Sequence, residues 1–395
     1  MNDNDIVIIA AKRTPIGSFQ GQLASLSATE LGSCAIRAVL DDVSIDAGSL
    51  NEVLMGCVLQ AGLGQAPARQ AARGAGIPDS VGCTTINKVC GSGMKAITLG
   101  HDILRAGSAD LILAGGMESM SNAPYLLTGA RAGYRSGHRE TLDHMLYDGL
   151  QNVDDGEVMG FFAERCVDRY RFTRDAQDAY ATVSVQRALE AMQSGAFKGE
   201  ICSVTVPEKG GRRQVSEDEQ PLRCRPEKIA QLKPAFRAEG GSVTAASSAA
   251  ISDGAAAVLL TRIGIADELK IKPLAHIVAH TSHADRPEEF TTAPIQAIRK
   301  LYEKTGWSDA EVDLYEINEA FAAVVMAAMH DLELEHGKVN VSGGACALGH
   351  PIGATGARLV VTLQHTLHQR HLRRGIAALC IGGGEATAMA LELVP

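Results

Sequence analysis

Short apolar runs alternate with segments of helical period over most of the chain. Runs at Ile6–Ala11, Val53–Met55, Leu111–Ala114, Ala256–Leu260, Leu274–Val278, Leu314–Ile317, Ala377–Ile381 and Ala388–Leu391 predict buried strands. Apolar residues recurring three and four apart predict helices over Ala28–Asp41, Gly93–Arg105, Arg174–Ser194, Ile295–Thr305, Glu319–Leu332 and Gly356–His368. Strand and helix taking turns in this way predicts an α/β fold.

The order of elements also repeats. Ala35-Ile36-Arg37 lies in a predicted helix ahead of the strand and turn Val53-Leu54-Met55-Gly56, and Ala297-Ile298-Arg299 stands in the same relation to Leu314-Tyr315-Glu316-Ile317-Asn318. Cys90-Gly91-Ser92-Gly93 then leads through a helix to Leu111–Gly116, as Gly353-Ala354-Thr355-Gly356 leads to Leu379-Cys380-Ile381-Gly382-Gly383. A duplicated chain of this kind brings its Gly-rich turns together near a pseudo-twofold axis. Between the halves, from about Ser119 to Ala249, the chain is richer in charge, Gly and Tyr, which suggests an insertion covering the site. Its long helix is predicted to start at Thr173 as N-cap, with Asp175 in the first turn.

Composition narrows the function. At 395 residues there is room for two or three domains. A net charge of −9 argues against a nucleic-acid binder. An acidic protein that handles an anionic ligand must gather its cations locally. Arg212, Arg213, Arg223, Arg225, Lys228 and Lys233 crowd one polar stretch of the insertion and are the candidates. Nine cysteines without a CxxC pair fit a reducing compartment. The acidic start lacks the form of a signal peptide, and no apolar run reaches membrane-spanning length, so the expectation is a cytoplasmic protein with no membrane contact.

Four segments could carry chemistry. In Asn87-Lys88-Val89-Cys90-Gly91-Ser92-Gly93-Met94-Lys95-Ala96, a cysteine just before a helix can feel the helix N-terminus, which favours thiolate. The embedded Gly91-x-Gly93-x-x-Ala96 lacks the acidic strand end of a dinucleotide fingerprint. His350, pinned between Gly349 and Pro351, has the restricted geometry of a base for such a thiol. Cys380 stands at a strand end before Gly382-Gly383-Gly384, whose N–H groups could meet an oxyanion. Asn318-Glu319-Ala320-Phe321 sits at a strand-to-helix junction, where Asn is also a common N-cap. His365, His368 and His371 recur every three residues, but no carboxylate cluster or HExxH accompanies them, so no metal site is expected.

Together, in this order and spacing, these segments resemble the four active-site motifs of thiolases, and the chain looks most like the acetyl-CoA acetyltransferases among them. The resemblance implies two duplicated α/β core domains in αβαβα layers, residues 1–120 with 250–272 and residues 273–395, and an inserted loop domain, residues 121–249, that holds coenzyme A. It implies Cys90 as the acylated nucleophile, His350 as its activator, and Cys380 as the group exchanging a proton with the second acetyl Cα or the leaving thiol. One oxyanion hole would comprise His350 and Asn318 through a water, the other the N–H groups of Cys90 and Gly382. Met159, Arg223, Lys228, Ala245, Ser248, Ala249, Ile251, Phe290, Ala320 and Phe321 would contact the substrate. The implied partners are acetyl-CoA, acetoacetyl-CoA and coenzyme A, the last as substrate and product, with no cofactor and a homotetrameric assembly.

Three departures from the family pattern bear on substrate length and affinity. Val158-Met159-Gly160 stands where His-Met-Gly is frequent, Ser247-Ser248-Ala249-Ala250 where Asn-Ala-Ser-Gly is frequent, and Phe290 where bacterial biosynthetic members often carry Met. A 3-ketoacyl-CoA thiolase for longer chains would share all four motifs. A β-ketoacyl synthase-like enzyme would lack Cys380, and a noncatalytic acyl-CoA binder should have lost one of Cys90, Asn318, His350 and Cys380.

Overall fold

The computed structural model describes residues 2–394. The first half supplies strands β1 (Ile6–Arg13), β2 (Glu52–Gly56), β3 (Gly82–Ile86) and β4 (Leu111–Ser119), with helices α1 (Ala28–Val43), α2 (Pro67–Gly74) and α3 (Ser92–Arg105). After helices α4 (Met159–Tyr170) and α5 (Arg174–Ser194) come β5 (Ser252–Arg262), β6 (Ala275–Ala284), α6 (Ala293–Thr305), β7 (Leu314–Ile317), α7 (Ala322–Leu332), α8 (Thr355–Gln369), β8 (Arg374–Ile381) and β9 (Glu385–Leu393). These strands line up as β7-β8-β9-β6-β1-β5-β4-β2-β3, with Gly17–Ser18 added against β5.

The duplication is visible in that order. β1-β5-β4-β2-β3 in one half is matched outward from the middle by β6-β9-β8-β7 in the other, and a parallel bridge from Tyr315 to Val339 stands where β3 would be repeated. The halves touch through β1 and β6 at Val7–His276 and Ile8–Ala275.

Side chains alternate between two cores along each strand, as the pleat requires. Val7, Ile9, Val53, Met55, Leu111 and Leu113 pack under α1 and α2, whereas Ile6, Ile8, Leu54, Ile112 and Ala114 face a central core with α3 and α8. In the other half Ala377 and Leu379 enter that central core, and Ile376, Ala378 and Cys380 face α6 and α7. The two halves of the sheet thus enclose the central helices and carry outer helices on their far faces, giving helix, half-sheet, helix, half-sheet, helix, with the central core filling both inner interfaces. Strands buried on both faces read as unbroken apolar runs, which is why they were legible.

The central helices approach more closely at their N-terminal ends than side chains allow. A Cβ at Gly93 would lie 2.8 Å from the Ala357 nitrogen, and one at Gly356 would lie 2.5 Å from the Met94 nitrogen. Those obstacles are backbone atoms and cannot swing away.

The insertion leaves and returns at one point, because Ser119 at the end of β4 lies opposite Asp253 in the antiparallel β5. It is fixed to the core by a buried ion cluster: Arg13 of β1 bonds Glu200 at 2.5 Å and both oxygens of Asp218 at 2.8 and 2.9 Å. Removing one partner of such a set leaves an uncompensated charge and costs about 3–5 kcal/mol.

Several expectations change in detail. α5 does keep its expected start, at Thr173, whose hydroxyl accepts the Ala176 N–H. The helix expected from Glu319 begins instead at Ala322 with Phe321 as N-cap, so Asn318 is not a cap. β6 runs to Ala284, beyond the expected Leu274–Val278, because its outer part is half-polar. β3, the edge strand Gly82–Ile86, was missed because it is mostly polar and incompletely buried. The helices α2 and α4 fall outside the expected set because neither has a side-chain N-cap bond, with Ala66 and Val158 at the cap positions.

Gly356→Ala should lower the midpoint of urea unfolding by the equivalent of about 1–3 kcal/mol, the usual cost of overpacking. Gly211→Ala, where nothing lies within 4 Å of the added methyl group, should leave it unchanged. Equal midpoints for the two variants would contradict the close helix contact.

Candidate active site

Cys90 precedes α3 in a tight turn. Val89 is held at φ +45°, a left-handed conformation that costs a β-branched residue about 1–3 kcal/mol. The turn is over-determined by Val89 N–H donating to Asn87 Oδ1 at 2.9 Å, Lys88 N–H donating to Ser92 Oγ at 2.8 Å, and the Ser92 hydroxyl donating to Val89 O at 2.6 Å. Lys88 also pairs with Glu385 and so ties this turn to the glycine loop after Cys380. That loop uses Gly383 and Gly384 at φ +90° and +88°, and places the Gly382 N–H on the Cys90 sulfur, which the N–H of Cys90 itself also approaches.

His350 comes in from the opposite half, ahead of α8. Its backbone N–H donates to Ala250 O at 3.0 Å. Its Nδ1 lies 2.6 Å from Thr355 Oγ1, and that hydroxyl donates to Pro351 O at 3.0 Å. A hydroxyl that has given its proton to a carbonyl can only accept from the ring, so Nδ1 carries the hydrogen and Nε2 is a free lone pair. Nε2 is buried without a protein partner. Burial, helped by Arg358, drives the His350 pKa down to about 3, so the ring is neutral at physiological pH.

The thiols move the other way. Burial raises Cys90 to about 11, against the two backbone N–H groups and with a small push from Glu118. Burial and the neighbouring Cys90 hold Cys380 well above the ordinary thiol range. The expectation of a thiolate at the helix N-terminus is therefore corrected. At rest the pair is thiol and neutral imidazole, because desolvation outweighs the helix end.

Both thiols, His350 and Gly382 line one cavity of ≈250 Å3. Of the expected substrate contacts, Met159, Ser248, Ala249, Ile251, Phe290, Ala320 and Phe321 line it too. Val158 contributes an apolar wall, and Phe290 is braced edge-on by Phe162 at 6.2 Å. Ala249 is held by its N–H on Ala320 O at 3.0 Å, while the Ser248 hydroxyl is turned inward to Thr244 O at 2.7 Å. Asn318 lies behind the wall, fully buried, with neither its Oδ1 nor its Nδ2 bonded to protein.

Other expected contacts are not brought to the cavity. Arg223 faces Glu219 at 3.2 Å, Lys228 and Ala245 are exposed, and none of the three lines it. Arg212 and Arg213 sit on the hairpin Val204–Glu208/Gly211–Val215, where Arg213 pairs with Glu208 at 3.3 Å. Arg213 and Arg223 of the charged stretch are thus each met by a carboxylate of their own segment.

Two buried glutamates hold the site together without having been singled out. Glu118 accepts N–H groups from Val58, Leu59 and Gly353 at 3.0, 3.1 and 2.9 Å, joining the turn after β2 to the turn that carries His350. Burial raises it to about 7 against those three bonds. Glu319 accepts from Tyr180, Ser184, Asn340 and the Cys346 N–H at 2.8 to 3.0 Å, binding α5 to the segment before His350. The repeat could have marked Glu118, since Gly115-Gly116-x-Glu118 echoes Gly382-Gly383-x-Glu385.

Family models for the thiolase N-terminal domain and the thiolase C-terminal domain match residues 6–263 and 271–393. The chain is 47% identical over 389 residues to an acetyl-CoA acetyltransferase of Pseudomonas aeruginosa, covering 98% of this chain and 99% of that protein. It is 47% identical to acetyl-CoA acetyltransferase 2 of Arabidopsis thaliana, covering 100% of this chain and 98% of that one. Among solved structures, a thiolase from Ascaris suum in complex with coenzyme A superposes with a TM-score of 0.93 at 40% identity, covering 99% of this chain and 100% of the other. The Bacillus anthracis acetyl-CoA acetyltransferase gives 0.96 at 40% identity, covering 99% of each.

Alkylation of Cys90 by iodoacetamide should speed up about tenfold per pH unit between pH 7 and 9, because only the thiolate reacts and its pKa lies near 11. A plateau below pH 8, followed by peptide mass spectrometry, would show a resting thiolate instead.

Proposed function

The chain belongs to the thiolase family, and we propose that it is an acetyl-CoA C-acetyltransferase, condensing two acetyl-CoA reversibly to acetoacetyl-CoA and coenzyme A through an acetyl-cysteine. The observation that carries the reading is the meeting of Cys90, Cys380 and the free Nε2 of His350 at one small apolar cavity.

The steps follow from the protonation states. Cys90 Sγ attacks the thioester carbonyl as its proton passes to His350 Nε2, so no free thiolate has to persist in the buried site. The carbonyl oxygen gains charge where the N–H groups of Gly382 and Cys90 point, and coenzyme A leaves with the proton of Cys380, so that Cys380 becomes the thiolate the next step needs while His350 keeps the proton taken from Cys90. The second acetyl-CoA then loses a Cα proton to Cys380. Its enolate oxygen is met by His350, now able to donate from Nε2, and by a water on the unpartnered Asn318 amide. The enolate carbon attacks acetyl-Cys90, the carbon–carbon bond forms, and the Cys90 sulfur departs as leaving group, taking its proton back from His350 Nε2. Thiolysis runs the same steps in reverse.

The buried Phe290 supports a preference for short acyl groups, since it closes the cavity with a rigid ring. We further propose a cytosolic homotetramer that serves acyl-CoA metabolism and uses neither cofactor nor metal in these steps.

Acetyl-CoA should leave an acetyl mass on the Cys90 peptide of the wild-type enzyme. Cys380→Ser should retain that acetylation within a few-fold and lose condensation by about 10²–10⁴, the usual contribution of a positioned acid or base. Acetylation at another residue, or near-normal condensation by Cys380→Ser, would overturn the assignment. Thiolysis that quickens from four-carbon to long-chain 3-ketoacyl-CoA would replace the short-chain reading with a longer-chain one.

A further inference from the structure

α3 has a second chemical end. Nine residues after Ser92, or roughly 13 Å along the helix axis, it presents His101 and Asp102. β6 of the other half brings His280 against them. Asp102 Oδ1 lies 3.0 Å from His101 Nδ1 and 2.9 Å from His280 Nε2, and the two rings meet edge to face at 4.9 Å. The three ligand atoms lie within 4.8 Å of one another. Both imidazoles are mostly buried, with side chains 14% and 17% exposed, while the carboxylate reaches solvent at 53%.

We propose that His101, Asp102 and His280 form a binding site for a zinc-class divalent cation that clamps the first half of the molecule to the second. Two imidazoles and one carboxylate are the donors such ions prefer, at about 2.0–2.2 Å. Tetrahedral bonds of that length set ligand atoms about 3.3 Å apart. The 2.9 and 3.0 Å contacts therefore need to open by a few tenths of an ångström, while the two ring nitrogens, within 4.8 Å of each other, close toward the same spacing by turning about their side-chain bonds. The exposed side of Asp102 leaves a fourth position for water.

The surroundings suit a cation. The nearest cation on the same helix, Arg105, is turned toward Asn4 O at 3.3 Å and Asp5 at 3.7 Å. Lys304 reaches only the backbone oxygen of His280, at 3.2 Å.

Without metal, each ring donates its N–H to Asp102 Oδ1. On binding, His101 Nδ1 and His280 Nε2 give lone pairs instead, and each ring keeps one proton on its other nitrogen. Nothing is oxidised or reduced. The site stands far from Cys90 along α3, so its role is to hold α3 against β6, not to join the acyl transfer. Sequence spacing gave no hint of it, since Asp102 and His280 are 178 residues apart.

The test uses the full-length enzyme, stripped with chelator and titrated with ZnCl2, and separately with CoCl2 to read the ligand set by absorption. We expect one metal ion per chain, a visible Co2+ spectrum of nitrogen and oxygen ligation, and a melting temperature raised by a few degrees. His280→Gln and Asp102→Asn should each lose the stoichiometric ion and the metal-induced shift, while acetyl transfer stays at the wild-type level and each variant is compared with its own metal-free melting temperature. His101→Gln gives a third variant should either of those fold poorly. No uptake by the wild type, unchanged uptake in the variants, or a Co2+ spectrum of thiolate ligation would overturn the proposal.

Discussion

Everything at this site depends on two helix ends approaching through glycine. α3 and α8 come from opposite halves, and each follows a turn carrying one reactive group. Because Gly93 and Gly356 present no side chain, backbone meets backbone, and the Cys90 and His350 turns share a single cavity. The duplication explains how this arose physically. Each half buries one face of its sheet against the same central layer, and the pseudo-twofold relation of the halves brings equivalent turns together. Equivalent positions have since taken different work: Glu118 braces the His350 turn from inside, whereas Glu385 pairs with Lys88 beside Cys90.

The second constraint is desolvation. A helix end is worth about 0.3–1 kcal/mol to a nearby charge, less than one pKa unit, so it cannot hold a thiolate in an apolar cavity. Burial instead keeps both thiols protonated and His350 neutral. Such a resting state exposes no uncompensated charge. It develops charge only during attack, when the Gly382 and Cys90 N–H groups are already aimed at the developing oxyanion. The Thr355 hydroxyl matters here because it fixes which imidazole nitrogen is bare.

Much of this was legible in the sequence because strands buried on both faces and glycine-rich turns leave strong local patterns. The apolar runs located every inner strand of the two half-sheets, and the four motif segments named the reactive side chains. What was not legible depended on contacts across the fold. The polar edge strand Gly82–Ile86 has no apolar run, and the helix after Asn318 starts later because Glu319 is drawn into bonds with α5. The charged stretch around Arg223 looked like a set of free cations in sequence, yet Arg213 and Arg223 are each paired with a carboxylate. A local reading sees neighbours along the chain, and substrate contacts are neighbours in space.

The most direct test of the account is rapid-quench measurement of coenzyme A released when enzyme is mixed with acetyl-CoA. If neutral His350 takes the Cys90 proton during attack, the wild type should release one equivalent per chain in a fast burst. His350→Gln should slow that burst by about 10²–10⁴ while Cys90 remains open to alkylation. A burst of undiminished rate in a folded His350→Gln enzyme would contradict the claim that this histidine activates the thiol.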